Sequence, residues 1–195
     1  MEELKKAPVT VLLILANILV FTAVEFTGGS EDTMHMLQCG AAYTPAIMQG
    51  EYYRIFTSMF LILPQHLGNN MLVLFVLGGR LERTVGKLKY LLIYLLGGMG
   101  GNLLCLFLEL DSADFAVSAG ASGAVFAVMG AMIYAVIRGR GHIEDLSARQ
   151  VVIMAAFSLY FGFTSEGVDN AAHVGGLICG FLLAVLLYHP SQRAG

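Results

Sequence analysis

Residues 120–138 read GASGAVFAVMGAMIYAVIR, so Ser122 stands at the start of an apolar segment that meets no charged residue before Arg138. Residues 172–188, AHVGGLICGFLLAVLLY, form a second such segment, with His173 near its start. Polar side chains in hydrocarbon are costly and are usually functional. A serine nucleophile and a histidine base at matching depth would make hydrolysis possible inside a bilayer.

The composition of the chain indicates an integral membrane protein. Of its 195 residues, 57% are hydrophobic and 13% are charged, and the mean hydropathy is +0.73. A soluble domain carries about 25% charged residues. Cys39, Cys105 and Cys179 show no paired spacing and predict neither a disulfide framework nor a metal site. We expect no cleavable signal, since the first apolar stretch is long enough to span and no small-residue cleavage site follows it.

Stretches without charged residues predict six transmembrane helices in a single all-α domain. They are residues 7–24, 55–79, 90–108, 115–137, 150–163 with its flanks, and 170–188. Most of them approach the ~20 residues that a spanning helix needs, and the second and fifth are short. Because Pro64 interrupts the second stretch, we expect that helix to span only from about His66. The predicted membrane core covers about residues 7–190 of the domain 1–195, with short cytoplasmic ends.

The basic residues predict the orientation. With the N-terminus inside, 10 of the 11 Lys and Arg residues fall in inner segments, and only Arg54 falls outside. The inner ones are Lys5, Lys6, Arg80, Arg83, Lys87, Lys89, Arg138, Arg140, Arg149 and Arg193. The positive-inside rule therefore predicts a multi-pass protein of the cell membrane with both termini in the cytoplasm.

The first outer loop, residues 25–63, is long for so small a protein and contains an apolar patch at residues 55–63. Loops of this length are usually functional or carry structure of their own. Irregular backbone at membrane depth is tolerated only against protein or a water-filled cavity. We therefore expect this loop to be partly embedded and supported by the rest of the protein.

Three polar sites are predicted to lie at one depth. The second, fourth and sixth helices all run from outside to inside, and they begin near His66, Ser122 and His173. From Ser122 to Arg138 and from His173 to His189 the chain advances 16 residues, or ~24 Å of helix against a hydrocarbon core of ~30 Å. This places Ser122 and His173 roughly 6 Å below the outer hydrocarbon edge.

The surroundings of Ser122 suit a nucleophile. Gly120 permits a backbone turn that other residues resist, and Ser122 then falls at a helix start, where unpaired N–H groups and the positive end of the dipole would stabilise an oxyanion. Asn70 and His66 lie one turn apart on one helical face and are further hydrogen-bond donors for this site.

Small residues favour a close approach of the two helices that carry Ser122 and His173. Gly123 is followed by Ala127 and Ala131 in the first, and Gly176 by Gly180 in the second. Small residues four apart let membrane helices pack closely. Such packing would bring Ser122 and His173 within hydrogen-bonding reach.

Each feature also has a purely structural interpretation. Gly-x-Ser-Gly at a helix start is often only a cap with packing glycines, and a single membrane histidine often only joins two helices. His66 and Asn70 would serve equally as a polar clamp between helices. A small transporter or channel stays an alternative, although the polar residues cluster near one face rather than line a path. The chain lacks a His-Glu-x-x-His motif and paired membrane carboxylates, which disfavours zinc and aspartyl proteases.

Together these motifs resemble those of the rhomboid family of intramembrane serine proteases, over nearly the whole chain. The matching residues are Gly120-Ala121-Ser122-Gly123, Ala172-His173 with Gly176 and Gly180, and His66 with Asn70. Tyr53-Arg54 resembles a loop motif that is usually Trp-Arg in the family, and Glu82-Arg83 before Gly86 resembles the turn after the second helix.

The resemblance implies a six-helix bundle with a Ser122–His173 dyad and an oxyanion site made of His66, Asn70 and the Ser122 backbone amide. The family cleaves single-pass transmembrane proteins near the outer face, surrounded by membrane lipid. No cofactor, metal or nucleic-acid partner is implied. Supporting residues would be Gly120, Gly123, Phe126, Gly176 and Gly180.

The chain departs from the family pattern in four respects. Residues 60–65, FLILPQ, are one residue shorter than usual and have Ile62 where a histidine is common. Phe126 stands where many members have a tyrosine that packs on the catalytic histidine, and the chain has no tryptophan. A non-catalytic relative that binds membrane segments is the alternative. Such relatives typically lose the serine or the histidine, and this chain keeps both.

Access to a buried site requires a moving part. The acidic segment 163–170 joins the short fifth helix to the helix that carries His173, and Gly162 and Gly167 give it flexibility. We expect the fifth helix and this segment to form a mobile gate for a substrate helix.

Overall fold

The structure is a computed structural model that describes residues 6–112, 114–139, 141–164 and 168–189. Within these ranges it is built from nine α-helices, a 3₁₀ turn at Ser58–Phe60 that continues the fourth of them, and one short hairpin. The helices are α1 (Pro8–Thr27), α2 (Thr33–Gln38), α3 (Thr44–Met48), α4 (Arg54–Thr57), α5 (Pro64–Val85), α6 (Lys87–Ser112), α7 (Ser122–Arg138), α8 (Ala148–Thr164) and α9 (Asn170–Leu187). The hairpin strands are β1 (His142–Ile143) and β2 (Leu146–Ser147).

Three helices, α1, α6 and α9, are long and apolar enough to cross a membrane. A fourth span is possible by length if the bent pair Arg54–Phe60 and Pro64–Val85 is counted as one, with 86° between its two parts. The apolar helices α7 and α8 have 17 residues each, or about 26 Å of length. Among the described residues, length and composition thus identify three to four candidate spans, while the sequence predicts six.

The start of α5 follows from Pro64. Leu63 is extended, with ψ of 149°, and Pro64 occupies the first position of the helix, where its missing N–H and fixed φ cost nothing. The helix therefore begins two residues before His66, the start expected from the sequence. A π-helical turn at Leu74–Gly78 lies in the middle of α5.

The core is a closely packed group of α6, α7 and α9, with α9 against both others. Twelve of the 17 residues of α7 are buried, so this helix is the centre of the bundle. In α8, by contrast, the buried residues are Val151, Ala155 and Gly162. The helix that carries Ser122 is therefore firmly held, whereas α8 lies at the periphery.

Glu82 of α5 joins that helix to the start of α1. Its side chain is 2% exposed and accepts hydrogen bonds from the backbone N–H of Val9 at 3.0 Å and of Thr10 at 2.8 Å. The Thr10 hydroxyl donates to the same carboxylate at 2.8 Å. These are first-turn groups that have no partner inside a helix, and a negative charge at a helix N-terminus is favourable.

The outer loop between α1 and α5 is ordered around Arg54. This buried side chain donates to the carbonyls of Leu37 at 2.7 Å and Ala41 at 2.9 Å, and its Nε donates to Glu51 at 2.7 Å. The hydrogen bond from the Tyr53 hydroxyl, with that from Arg54, holds the pKa of Glu51 below its usual range. A single arginine thus ties together three parts of the loop.

At the opposite end of α5 from His66, two arginines hold the β1–β2 hairpin. Arg80 binds both carboxylate oxygens of Asp145, at 2.9 and 3.1 Å from Nη2, and this contact lowers the pKa of Asp145. Arg83 binds Glu144 through two hydrogen bonds of 2.9 Å. Since Ala148, the first residue of α8, directly follows β2, these ion pairs fix that end of α8 to α5.

Candidate active site

Ser122 is the first residue of α7, and its side chain is half-buried. The loop before it is held by the outer loop, since the Gly120 N–H donates to the Ser58 carbonyl at 3.0 Å. Ser58 in turn accepts a hydrogen bond from Asn102 of α6 at 2.9 Å. The nucleophile candidate therefore sits at a helix start, as its position in the sequence predicts.

The role expected for Gly120 needs correction. Its φ is not among the positive values of this chain, so the backbone there is one that other residues also adopt. A Cβ at this position would instead lie 3.1 Å from Ser122 Oγ. The glycine thus leaves room beside the serine hydroxyl rather than making a special turn.

His173 lies one turn into α9 and is 6% exposed. Its ring stacks on Phe126 with centroids 4.4 Å apart and planes at 21°. Phe126 is one turn after Ser122 on α7, so the stack places the imidazole beside the helix that carries the serine. A phenyl ring thus packs on His173.

The Nδ1 atom of His173 is buried and has no hydrogen-bond partner among the described residues. It faces α8, where a Cβ on Gly162 would lie 3.2 Å away. Likewise, no hydrogen bond joins Ser122 to His173 within the described part of the chain. The structure brings the two residues to one site without this contact. Catalytic hydrogen bonds often tighten only when substrate is bound.

Glycines set the separation of the two helices. A Cβ on Gly176 would lie 2.1 Å from the Gly123 carbonyl oxygen, and one on Gly180 would lie 2.0 Å from the Ala127 carbonyl oxygen. Real side chains do not fit at such distances, so the backbones of α7 and α9 touch. This is the close approach that the small residues of both segments predict.

His66 and Asn70 lie one turn apart on α5. Asn70 is buried, at 5% exposure, and His66 is half-buried. His66 and Asp169 are the titratable groups with which His173 interacts electrostatically. The third polar element expected from the sequence is therefore close to the other two.

One cavity of about 1060 Å³ joins all four side chains. Ser122, His173, His66 and Asn70 all line it, together with residues of the outer loop and Phe161 of α8. Ligand sites are typically ~300–1,000 Å³, so the space suits a peptide segment. The described residues contain no group of three or more His, Cys, Asp or Glu side chains placed to hold a metal ion.

Sequence reasoning missed two residues beside this site. Asp169 caps α9 by accepting a hydrogen bond from the Ala172 N–H at 2.8 Å, and it accepts another from the Ser118 hydroxyl at 2.7 Å. An aspartate four residues before His173 is a recognisable helix-cap signal. Its link to Ser118 carries no sequence signal, because it depends on how the two loops meet.

Comparison with known proteins identifies the family to which this helical chain, with its cavity lined by Ser122 and His173, is similar. The Rhomboid domain family matches residues 49–190. The chain is 35% identical to Rhomboid protease GluP of Bacillus subtilis in an alignment that covers 97% of this chain. It is 32% identical to Rhomboid protease AarA of Providencia stuartii in an alignment that covers 90% of this chain. RHOMBOID-like protein 5 of Arabidopsis thaliana is 35% identical in an alignment that covers 84% of this chain. The chain belongs to the rhomboid family.

The matched relatives are longer than this chain. The match covers 36% of the Bacillus protease, 52% of the Arabidopsis protein and 71% of the Providencia protease. The shared part is the helical domain that carries the cavity.

Proposed function

We propose that this chain is an intramembrane serine protease that cleaves single-pass transmembrane proteins near the outer membrane face. The observation that carries the proposal is the His173 ring, stacked on Phe126 one turn from Ser122 and facing the same cavity as that serine. Membership of the rhomboid family supports the same activity.

The proposed reaction is acyl transfer to Ser122. Its Oγ attacks the scissile carbonyl carbon while His173 takes the hydroxyl proton, and negative charge develops on the carbonyl oxygen. The Ser122 backbone N–H, His66 and Asn70 donate hydrogen bonds to that oxygen. His173 then gives its proton to the leaving amine. In the second half of the reaction, water attacks the acyl-enzyme while His173 takes a proton from it, and His173 then returns that proton to Ser122 Oγ as the acyl group leaves.

The proposed membrane arrangement has six spans, formed by α1, α5, α6, α7, α8 and α9, with both termini in the cytoplasm of a cell-membrane protein. The basic residues support it, since Arg80 and Arg83 lie at the end of α5 away from His66. Exposed apolar side chains of the outer loop support its partly embedded position. They include Met34, Met48, Tyr52, Tyr53 and Phe56.

The test is cleavage of a reporter single-pass substrate by the purified chain in lipid vesicles, with Ser122→Ala alongside. We expect cleavage by the wild type at a site near the outer end of the substrate segment and none by the variant. Binding of the substrate without cleavage would favour a non-catalytic rhomboid-like protein.

Loss of the oxyanion donors should slow the chemical step. Asn70→Ala and His66→Ala should each lower kcat by about 10²-fold, with a much smaller effect on KM, because their hydrogen bonds strengthen as charge develops. Steady-state cleavage kinetics measure both constants. Gln65→Ala, at an exposed position in the first turn of α5, is the matched control. An increase in KM alone would argue for substrate positioning or a helix clamp.

We also propose that α8 is the gate for substrate access. Phe161 lines the cavity and is 61% exposed, and Phe157 stacks on it at 6.5 Å and is 60% exposed. The aromatic pair therefore separates the cavity from the surroundings at a peripheral helix. Gly167, expected to give this gate flexibility, lies outside the described residues.

Smaller side chains in the gate should speed cleavage. Phe161→Ala and Phe157→Ala should raise the cleavage rate of a transmembrane substrate several-fold, because less surface must separate before the substrate enters. Ile153→Ala, at an exposed position nearer the start of α8, is the control. Substrates with Gly or Pro near the scissile bond should be cut faster, since those residues favour local unwinding.

A disulfide that holds the proposed gate closed tests the opposite change. A disulfide between the outer ends of α8 and α5, in a variant without Cys39, Cys105 and Cys179, should stop cleavage of membrane substrates until it is reduced. Cleavage at full rate by the cross-linked protein would show that substrate enters elsewhere.

A further inference from the structure

The segments that lead to Ser122 and His173 are joined by a hydrogen bond between two side chains. The Ser118 hydroxyl donates to Asp169 Oδ2 at 2.7 Å, while Asp169 Oδ1 accepts from the Ala172 N–H at 2.8 Å. Ser118 stands four residues before Ser122, and Asp169 stands four residues before His173. The contact thus lies at equal chain distance from both candidate catalytic residues.

Both ends of this contact are fixed. Ser118 and Ala42 of the outer loop exchange backbone hydrogen bonds of 2.8 and 2.9 Å. Gly120 donates to the Ser58 carbonyl, so the loop is held on both sides of Ala119. At the other end, Asp169 is the N-cap of α9. The hydrogen bond therefore connects an anchored loop to the first turn of the histidine helix.

Glycine contacts alone do not define the geometry of the dyad. They set how close α7 and α9 approach, whereas the placement of the two helix starts also depends on the loops that precede them. A misplacement of ~1 Å can cost ~10²-fold in rate. The Ser118–Asp169 hydrogen bond, at the starts of α7 and α9, supplies a constraint on their relative position along the helix axes.

We propose that Ser118 and Asp169 form a positioning pair that sets the axial register of Ser122 against His173. The inference rests on the proposed function, since it assigns these residues to the reaction of that dyad. Neither residue needs to touch the reacting atoms. Loss of the tie should slow the attack by Ser122 while leaving substrate affinity unchanged.

Ser118 is the cleaner residue to change. Asp169 also caps α9 and interacts electrostatically with His173, so its replacement alters three interactions at once. Ser118→Ala removes the hydroxyl and keeps the cap. Ser118→Thr restores a hydroxyl at the same position and tests rescue.

The experiment measures the rate at which a fluorophosphonate reagent labels Ser122, together with kcat and KM for a transmembrane substrate. Ser118→Ala should lower the labelling rate and kcat by about tenfold, with KM unchanged, and Ser118→Thr should recover most of the rate. Asp169→Ala should lower the labelling rate and kcat at least as much as Ser118→Ala does. Adding Ser118→Ala to Asp169→Ala should change the rate by less than about twofold, since the tie is already absent.

Asp32→Ala is the matched control, because Asp32 caps α2 in the outer loop in the same way, accepting from the N–H groups of Met34 and His35. Its labelling rate should equal that of the wild type. The proposal is overturned if Ser118→Ala labels at the wild-type rate, or if its full effect persists in the Asp169→Ala background. Absence of both labelling and cleavage in the wild type would instead contradict the proposed function.

Discussion

Ser122→Ala and His173→Ala should each abolish proteolysis, with a loss in kcat of at least about 10³-fold. The serine supplies the bond-forming oxygen, and the histidine removes its proton, so neither acts without the other. The double variant should be no slower than either single one, because members of a catalytic unit are not additive. Single-turnover cleavage of a reporter substrate in vesicles measures these rates.

The controls separate chemistry from folding. His35→Ala removes a histidine of the outer loop that contacts Thr27 and Cys39, and it should leave cleavage at the wild-type rate. Both dyad variants should keep a cooperative thermal unfolding transition in detergent. Near-normal cleavage by either one would contradict the assignment of the dyad.

Gly176→Val should be both inactive and unstable. A Cβ on Gly176 would lie 2.1 Å from the Gly123 carbonyl oxygen, so α7 and α9 must separate at the level of Ser122 and His173. Overpacking of this kind costs about 1–3 kcal/mol and occasionally more. The same movement pulls the dyad apart. Thermal unfolding and fluorophosphonate labelling measure the two effects.

Gly68→Ala is the matched control for Gly176→Val, because a Cβ there would meet no atom within 4 Å. Alanine is the better helix former by about 1 kcal/mol, so this variant should unfold at the same temperature as the wild type or higher. If Gly176→Val kept wild-type stability and labelling, the helix contact described here would not set the site.

Local sequence features predicted much of the helix arrangement. Pro64 locates the start of α5 to within two residues, and the small residues of α7 and α9 predict the contact that the structure shows. Ser122 at a helix start follows from the residues around it. In each case the signal lies within a few residues of the feature, where backbone preference and helix spacing act directly.

Features that depend on distant partners could not be predicted. The β1–β2 hairpin has Glu144 and Asp145 at its turn, with Glu144 at a φ of +52°, and neither is the glycine or asparagine that marks such turns. Two arginines of α5 bind these acidic side chains: Arg80 binds Asp145, and Arg83 binds Glu144. The role of Gly120 was misjudged for a different, local reason: the Ser122 hydroxyl, two residues away, needs the room, and the backbone φ does not require a glycine.

If α8 is the gate, as proposed, the ion pairs of Arg80 with Asp145 and of Arg83 with Glu144 would make the start of α8 its pivot. A helix of 17 residues is about 26 Å long, so turning it by about 23° about that end moves its far end by about 10 Å, the width of one helix. The near end hardly moves during such a swing. Under the proposed gating, a substrate would thus enter laterally without an aqueous path forming across the bilayer, and an ion gradient across that bilayer would be preserved while the gate is open.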